Sequence, residues 1–130
     1  MPKLSDSFVH LGLGATSTPQ PPFDGMQWYA DYGARVASDG DEGRLVSMGT
    51  STSSWKHWEM HPHGSEVVVC TAGRMTLVQE VDGREQRTVL EVGDYVINPP
   101  GVWHTADVDD GEKATALFIT SGRGTEHRQR

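Results

Sequence analysis

From Arg44 to Thr120, short apolar and β-branched runs alternate with Gly, Asp and Pro turn signals, and no other feature restricts the fold so tightly. Leu45-Val46-Ser47-Met48 opens the series. A run from Ser53 to His61 follows, stopped by Pro62 and the His63-Gly64-Ser65 turn. Glu66 to Thr71 carries three valines in succession, and β-branched side chains favour the pleated state. Ala72-Gly73 leads into Arg74 to Val81, and Asp82-Gly83 is a two-residue hairpin signal into Arg84 to Glu91. Val92-Gly93-Asp94, Pro99-Pro100-Gly101 and Asp109-Asp110-Gly111 separate Tyr95 to Ile97, Val102 to Val108 and Ala114 to Thr120. Roughly eight or nine strands at such spacing predict an all-β sandwich or barrel.

The flanks read differently. Thr16-Ser17-Thr18-Pro19-Gln20-Pro21-Pro22 holds no regular element on this reading, because proline fixes φ and removes a donor. Residues 1–42 are therefore expected to form an arm with one short helix over Gln27 to Ala37, where Trp28, Tyr32 and Val36 recur every fourth residue and Asp24 offers a cap. Phe8 to Leu13 reads as an edge strand available to another subunit. Residues 43–120 form the barrel, and residues 121–130 a loose polar tail.

With 130 residues the chain forms one domain, able to bury a core without disulfides. Its one cysteine, Cys70, excludes an intrachain disulfide and a cysteine-based zinc site. With 18 acidic against 11 basic residues the net charge is −7, which repels phosphate backbones and anionic bilayers. No signal-peptide pattern or membrane span is present, so the expectation is a soluble cytoplasmic protein without nucleic-acid or membrane partners.

Histidines and carboxylates gather at the strand ends. Trp55, His57, Glu59 and His61 share one parity, hence one face of a strand, and Glu59 and His61 are neighbours on it. Glu66 opens the next strand across the turn, and His104 approaches from a later one. Two imidazoles with two carboxylates suit one divalent transition metal: Mn, Fe, Ni or Zn. His57, His63 and Trp103 are candidates for a supporting or pocket-lining role. No G-x-S-x-G elbow, phosphate loop or dinucleotide fingerprint competes.

These stretches resemble the paired motifs of the cupin superfamily. Gly93, Pro99, Gly101 and His104 meet the second motif, G-x5-P-x-G-x2-H, although Val108 stands where an asparagine is usual. Glu66 and Gly73 end the first motif. Its front aligns in two registers: His61 with His63, which leaves a short gap to Glu66, or Glu59 with His61, which keeps the usual turn length. The second is preferred, and puts Glu59 in place of the first histidine. The resemblance implies a double-stranded β-helix, or jelly-roll barrel, of the small single-domain kind with a variant first motif. It also implies a homodimer and a small-molecule substrate or ligand. The expected activity is that of a metal-dependent enzyme, an oxygenase or an isomerase or lyase. The rival reading is a non-catalytic ligand-binding or sensory module.

Overall fold

A computed structural model describes residues 1–130. Eleven strands form two antiparallel sheets: β1 (Val9–Gly12), β2 (Thr16–Pro19), β3 (Arg44–Ser51), β4 (His57–Met60), β5 (Glu66–Gly73), β6 (Met75–Val81), β7 (Arg84–Leu90), β8 (Tyr95–Asn98), β9 (His104–Asp107), β10 (Ala114–Thr120) and β11 (Glu126–Gln129). One sheet runs β2-β1-β3-β10-β5-β8 and the other β11-β4-β9-β6-β7. From β3 onward successive strands cross between the sheets, except at the β6–β7 hairpin, which makes the expected double-stranded β-helix. The only α-helix, α1 (Gln27–Arg35), lies before the barrel strands in the chain.

Alternation along each strand decides what enters the sandwich. Val68 and Cys70 of β5, Leu77 of β6, Leu90 of β7, Ala106 of β9 and Ala116 of β10 meet in one core, where Cys70 is a fully buried free thiol. Gly73 turns β5 into β6 at φ +71°, and a Cβ there would stand 2.0 Å from the Lys113 carbonyl oxygen. A second, smaller core of Phe8, Trp28 and Leu45, with Tyr32 against it, holds α1 to the sheet.

Four local expectations are corrected. Thr16 to Pro19 is a strand, tolerated because it is the outermost one and Pro19 stands at its end. β1 is an interior strand of this chain, paired to both β2 and β3, so it is not offered to another subunit. Met26, not Asp24, precedes the first turn of α1, and no side chain caps it. Residues 126–129 are not loose: β11 pairs along β4 from Glu126↔Met60 to Gln129↔His57. Arg128 holds it there by lying over the Trp58 and Trp103 rings, 5.2 and 4.7 Å from their centroids, with an ion pair to Glu80. Such a polar strand carries no apolar alternation, so its sequence does not announce it.

Candidate metal centre

The site lies where two rows of side chains face each other across the sandwich. In one sheet, register aligns His127 (β11), Glu59 (β4), His104 (β9) and Gln79 (β6). In the other it aligns Thr120 (β10), Glu66 (β5) and Asn98 (β8). His61 stands two residues beyond Glu59, on the same face.

Glu59, His61, Glu66 and His104 each direct one ligand atom to a common point, all within 4.8 Å of one another. His61 Nε2 lies 3.4 Å from Glu59 Oε1 and 3.3 Å from Glu66 Oε2. His104 Nε2 lies 3.4 Å from Glu59 Oε1 and 3.2 Å from Glu66 Oε1. Ligands about 2.1 Å from one ion sit roughly 3.0–3.4 Å from their neighbours, so these edges fit a divalent metal.

Tautomers support the same fit. Thr125 donates its hydroxyl to the Gly122 carbonyl, which leaves its oxygen to accept from His61 Nδ1 at 2.8 Å. His104 Nδ1 donates to the Val102 carbonyl at 3.2 Å. With Nδ1 occupied on both rings, each Nε2 is free to turn its lone pair inward. His61 Nε2 is the one buried side-chain polar atom that makes no hydrogen bond. Its carboxylate neighbours are close but off line, whereas His104 Nε2 makes a long hydrogen-bond contact with Glu59 Oε1 at 3.4 Å.

Burial works to lower the pKa of both imidazoles, but the facing Glu59 and Glu66 carboxylates outweigh it and raise each to about 9. Burial likewise works to raise the two carboxylates, and the histidines outweigh it and hold both below the usual range. Without metal the cluster is thus two imidazoliums against two carboxylates. One divalent ion would replace two protons at the same net charge.

Glu66 is fixed from both sides. Thr120 donates to its Oε2 at 2.6 Å, and Asn98 Nδ2 donates to its Oε1 at 3.0 Å. Gln79 in turn donates to Asn98 Oδ1 at 2.8 Å and to the Ile97 carbonyl at 2.9 Å, tying one sheet to the other behind the site. Replacing Asn98 by Leu keeps the volume but frees one carboxylate oxygen. We expect metal affinity to fall about 10- to 100-fold, measured by competition with a chromogenic chelator.

The supporting candidates fare unequally. His57 is exposed and lines a shallow recess beside Glu59 and His127. His63 is exposed in the turn, packed near Gly124 and away from the cluster. Trp103 does not line the cavity, because its ring is taken up under Arg128. The residues that do support the cluster were not singled out from sequence: Thr125, Asn98, Gln79, Thr120 and His127, whose Nε2 lies 3.4 Å from Glu59 Oε2. Thr125 and His127 share a parity, which is the one local signal they carry.

A cavity of about 800 Å³ opens from Glu59, His61 and Glu66 and is bounded by the barrel interior and α1. Its size is that of small-molecule sites. No helix is long and apolar enough to cross a membrane.

Fold and cluster together define a small double-stranded β-helix with a buried His/Glu group able to hold a metal ion. The cupin domain family matches residues 44–120, more than half of the chain, and the protein belongs to it. Among solved structures it is similar to an uncharacterized conserved protein with a double-stranded β-helix domain from Klebsiella pneumoniae (TM-score 0.55, 22% identity, 67% of this chain and 76% of that one). It is also similar to hydroxypropylphosphonic acid epoxidase from S. wedmorenis (TM-score 0.52, 11% identity, 59% of this chain). The match spans only 42% of the epoxidase, and at such identity the likeness is one of fold. No curated protein matches the chain by sequence.

Proposed function

We propose that the protein is a metal-dependent enzyme acting on a small organic molecule inside the barrel. Glu59, His61, Glu66 and His104 would hold one divalent transition metal, Mn, Fe, Ni or Zn. The observation that carries this reading is the unpartnered, buried His61 Nε2, aimed at three other ligand atoms where an 800 Å³ cavity begins. Bound there, the metal would supply Lewis acidity or a site for dioxygen, which suits an isomerase or lyase, or an oxygenase. The chain's own groups do the rest. Thr125 and the Val102 carbonyl orient the two imidazoles, while Asn98 and Thr120 orient Glu66. Tyr29 presents its ring to the cavity, and burial, with Glu59 and Glu66 nearby, raises its pKa and keeps it a hydroxyl donor.

The test is elemental analysis of protein purified without added metal, followed by melting with and without chelator. Near-stoichiometric metal and a lower melting temperature after chelation support the proposal. Less than about a tenth of an equivalent, with no effect of chelator, ends it. Metal and ligand binding without turnover of any substrate tried would make it a binding module instead.

A homodimer belongs to the same proposal, through a face rather than an edge. Val46, Ile119, Val67 and Ile97 form one row on the outer side of the first sheet, and Met48, Leu117, Val69 and Tyr95 form the next. Tyr95 and Ile97 are 64% and 49% exposed, and neither row holds a charge. A two-fold contact with a second copy sets like against like with no charge to bury. Light scattering on a sizing column should give a dimer for the natural chain and a monomer for Ile97→Lys; a monomeric natural chain removes the idea.

A further inference from the structure

The cavity beside the cluster has a wall chemistry of its own. Helix α1 and its flank turn Met26, Tyr29, Ala30 and Gly33, one helical face, toward it. The barrel contributes Trp55 and Phe118, whose ring centroids are 6.1 Å apart. This wall is anchored. His10, 5% exposed, joins Tyr32 Oη at 2.7 Å through Nδ1 and Asp39 Oδ2 at 2.6 Å through Nε2. Tyr32 stacks on Trp28 with centroids 5.2 Å apart. Gly12 and Gly43 leave the room this pin needs, since a Cβ on Gly43 would stand 2.8 Å from the His10 ring.

Polar groups along the same walls are mostly committed. The Thr120 and Thr125 hydroxyls serve Glu66 and the Gly122 carbonyl, and Tyr32 Oη serves His10. Arg123 is the only lysine or arginine on the lining, its guanidinium paired to Asp41 at 2.8 Å, and the lining His127 is turned to Glu59 Oε2 at 3.4 Å. A phosphate or polycarboxylate entering here would find no free counter-charge on the walls, and a sugar would leave most hydroxyls unpaired. A flat ring would lose little and gain aromatic contact.

We infer that the cavity takes a small, flat, predominantly apolar ring compound. Its oxygen donors face the Glu59–His61–Glu66–His104 cluster, and its ring lies between the Trp55–Phe118 wall and Tyr29. Phosphorylated metabolites, polycarboxylates and free sugars are poor occupants. The oxygen-end part rests on the metal reading, while the ring part stands on the walls alone.

Calorimetry with the full chain separates the two. Metal content of each sample is first fixed by elemental analysis. On Zn²⁺-loaded protein, salicylate should bind at least about tenfold more tightly than oxalate, which has the donors without the ring, and more tightly than citrate or a hexose phosphate. Tyr29→Ala, a change at a half-exposed helix position, should weaken salicylate about tenfold more than it weakens oxalate, because only salicylate loses the ring contact. On metal-free protein, naphthol binding followed by tryptophan fluorescence should persist and should be lost in Tyr29→Ala. The inference is overturned if oxalate, citrate or the hexose phosphate equals salicylate, or if metal-free protein ignores naphthol. Failure of Zn²⁺ to load while naphthol still binds would sink the metal reading and leave the ring pocket standing.

Discussion

His104→Ala will cost more than about a hundredfold in divalent-metal affinity, a larger loss than any substitution of a supporting residue. His104 is fully buried, with Nε2 between the Glu59 and Glu66 carboxylates, and no other side chain on β9 reaches that point. Alanine removes a ligand and leaves two carboxylates facing one imidazole. Without metal, that uncompensated charge should lower stability by about 3 kcal/mol. Chelator competition reads the first effect, and urea unfolding of metal-free protein reads the second. His61→Ala should behave alike. His63→Ala should change neither, because that ring is in the exposed turn. Loss of metal in the His63 variant, with Glu59→Ala unaffected, would move the histidine pair one register along and overturn the ligand set.

Metal affinity should also rise steeply with pH, by up to about a hundredfold per unit between pH 5 and 8. The cause is the two imidazoles, each raised to about 9 by the carboxylates opposite them. In that range both are protonated in the metal-free cluster, so loading one ion displaces two protons, and the apparent constant gains a factor of ten per proton per unit. The slope should flatten above about pH 9, where the metal-free rings are already neutral. Stability of the metal-free protein runs the other way. A raised imidazole stabilises fully below its unfolded value near 6.5, and the contribution is lost as pH climbs through about 9. The depressed carboxylates contribute above their ordinary range near 4.5 and lose that contribution as pH falls below it. Metal-free protein should therefore be most stable between about pH 4.5 and 6.5, and metal-loaded protein at higher pH. Melting curves across pH 4 to 9, with and without chelator, check both signs. A flat affinity profile would mean that the imidazoles do not carry protons in the empty cluster.

Strand spacing alone carried the barrel, because turn chemistry and β-branched runs are local properties that each segment expresses without its neighbours. Parity on β4 placed Glu59 and His61 together for the same reason, and the short His63-Gly64-Ser65 turn kept Glu66 within reach. Parity also put His57 on that face, but the strand begins there and leaves its ring at the exposed rim. What surrounds the four residues depended on register between strands far apart in the chain, which no local pattern encodes. Asn98 beside Glu66 and Gln79 beside His104 are consequences of how β8 and β6 align. The polar C-terminal strand is the clearest case. Its order comes from the ladder to β4 and from Trp58, Trp103 and Glu80 gripping Arg128, and together these bring Thr125 to His61 and His127 to Glu59. Likewise the aromatic helix was legible as a helix, yet its place against the cavity was set by the Phe8–Trp28–Leu45 core and the buried His10–Tyr32 contact. The sequence by itself determined the barrel and which histidines and carboxylates would gather within it. Tertiary structure alone decided the hydrogen bonds that aim the ligands and the wall that a substrate would meet, because both are built from residues brought together by folding rather than by spacing.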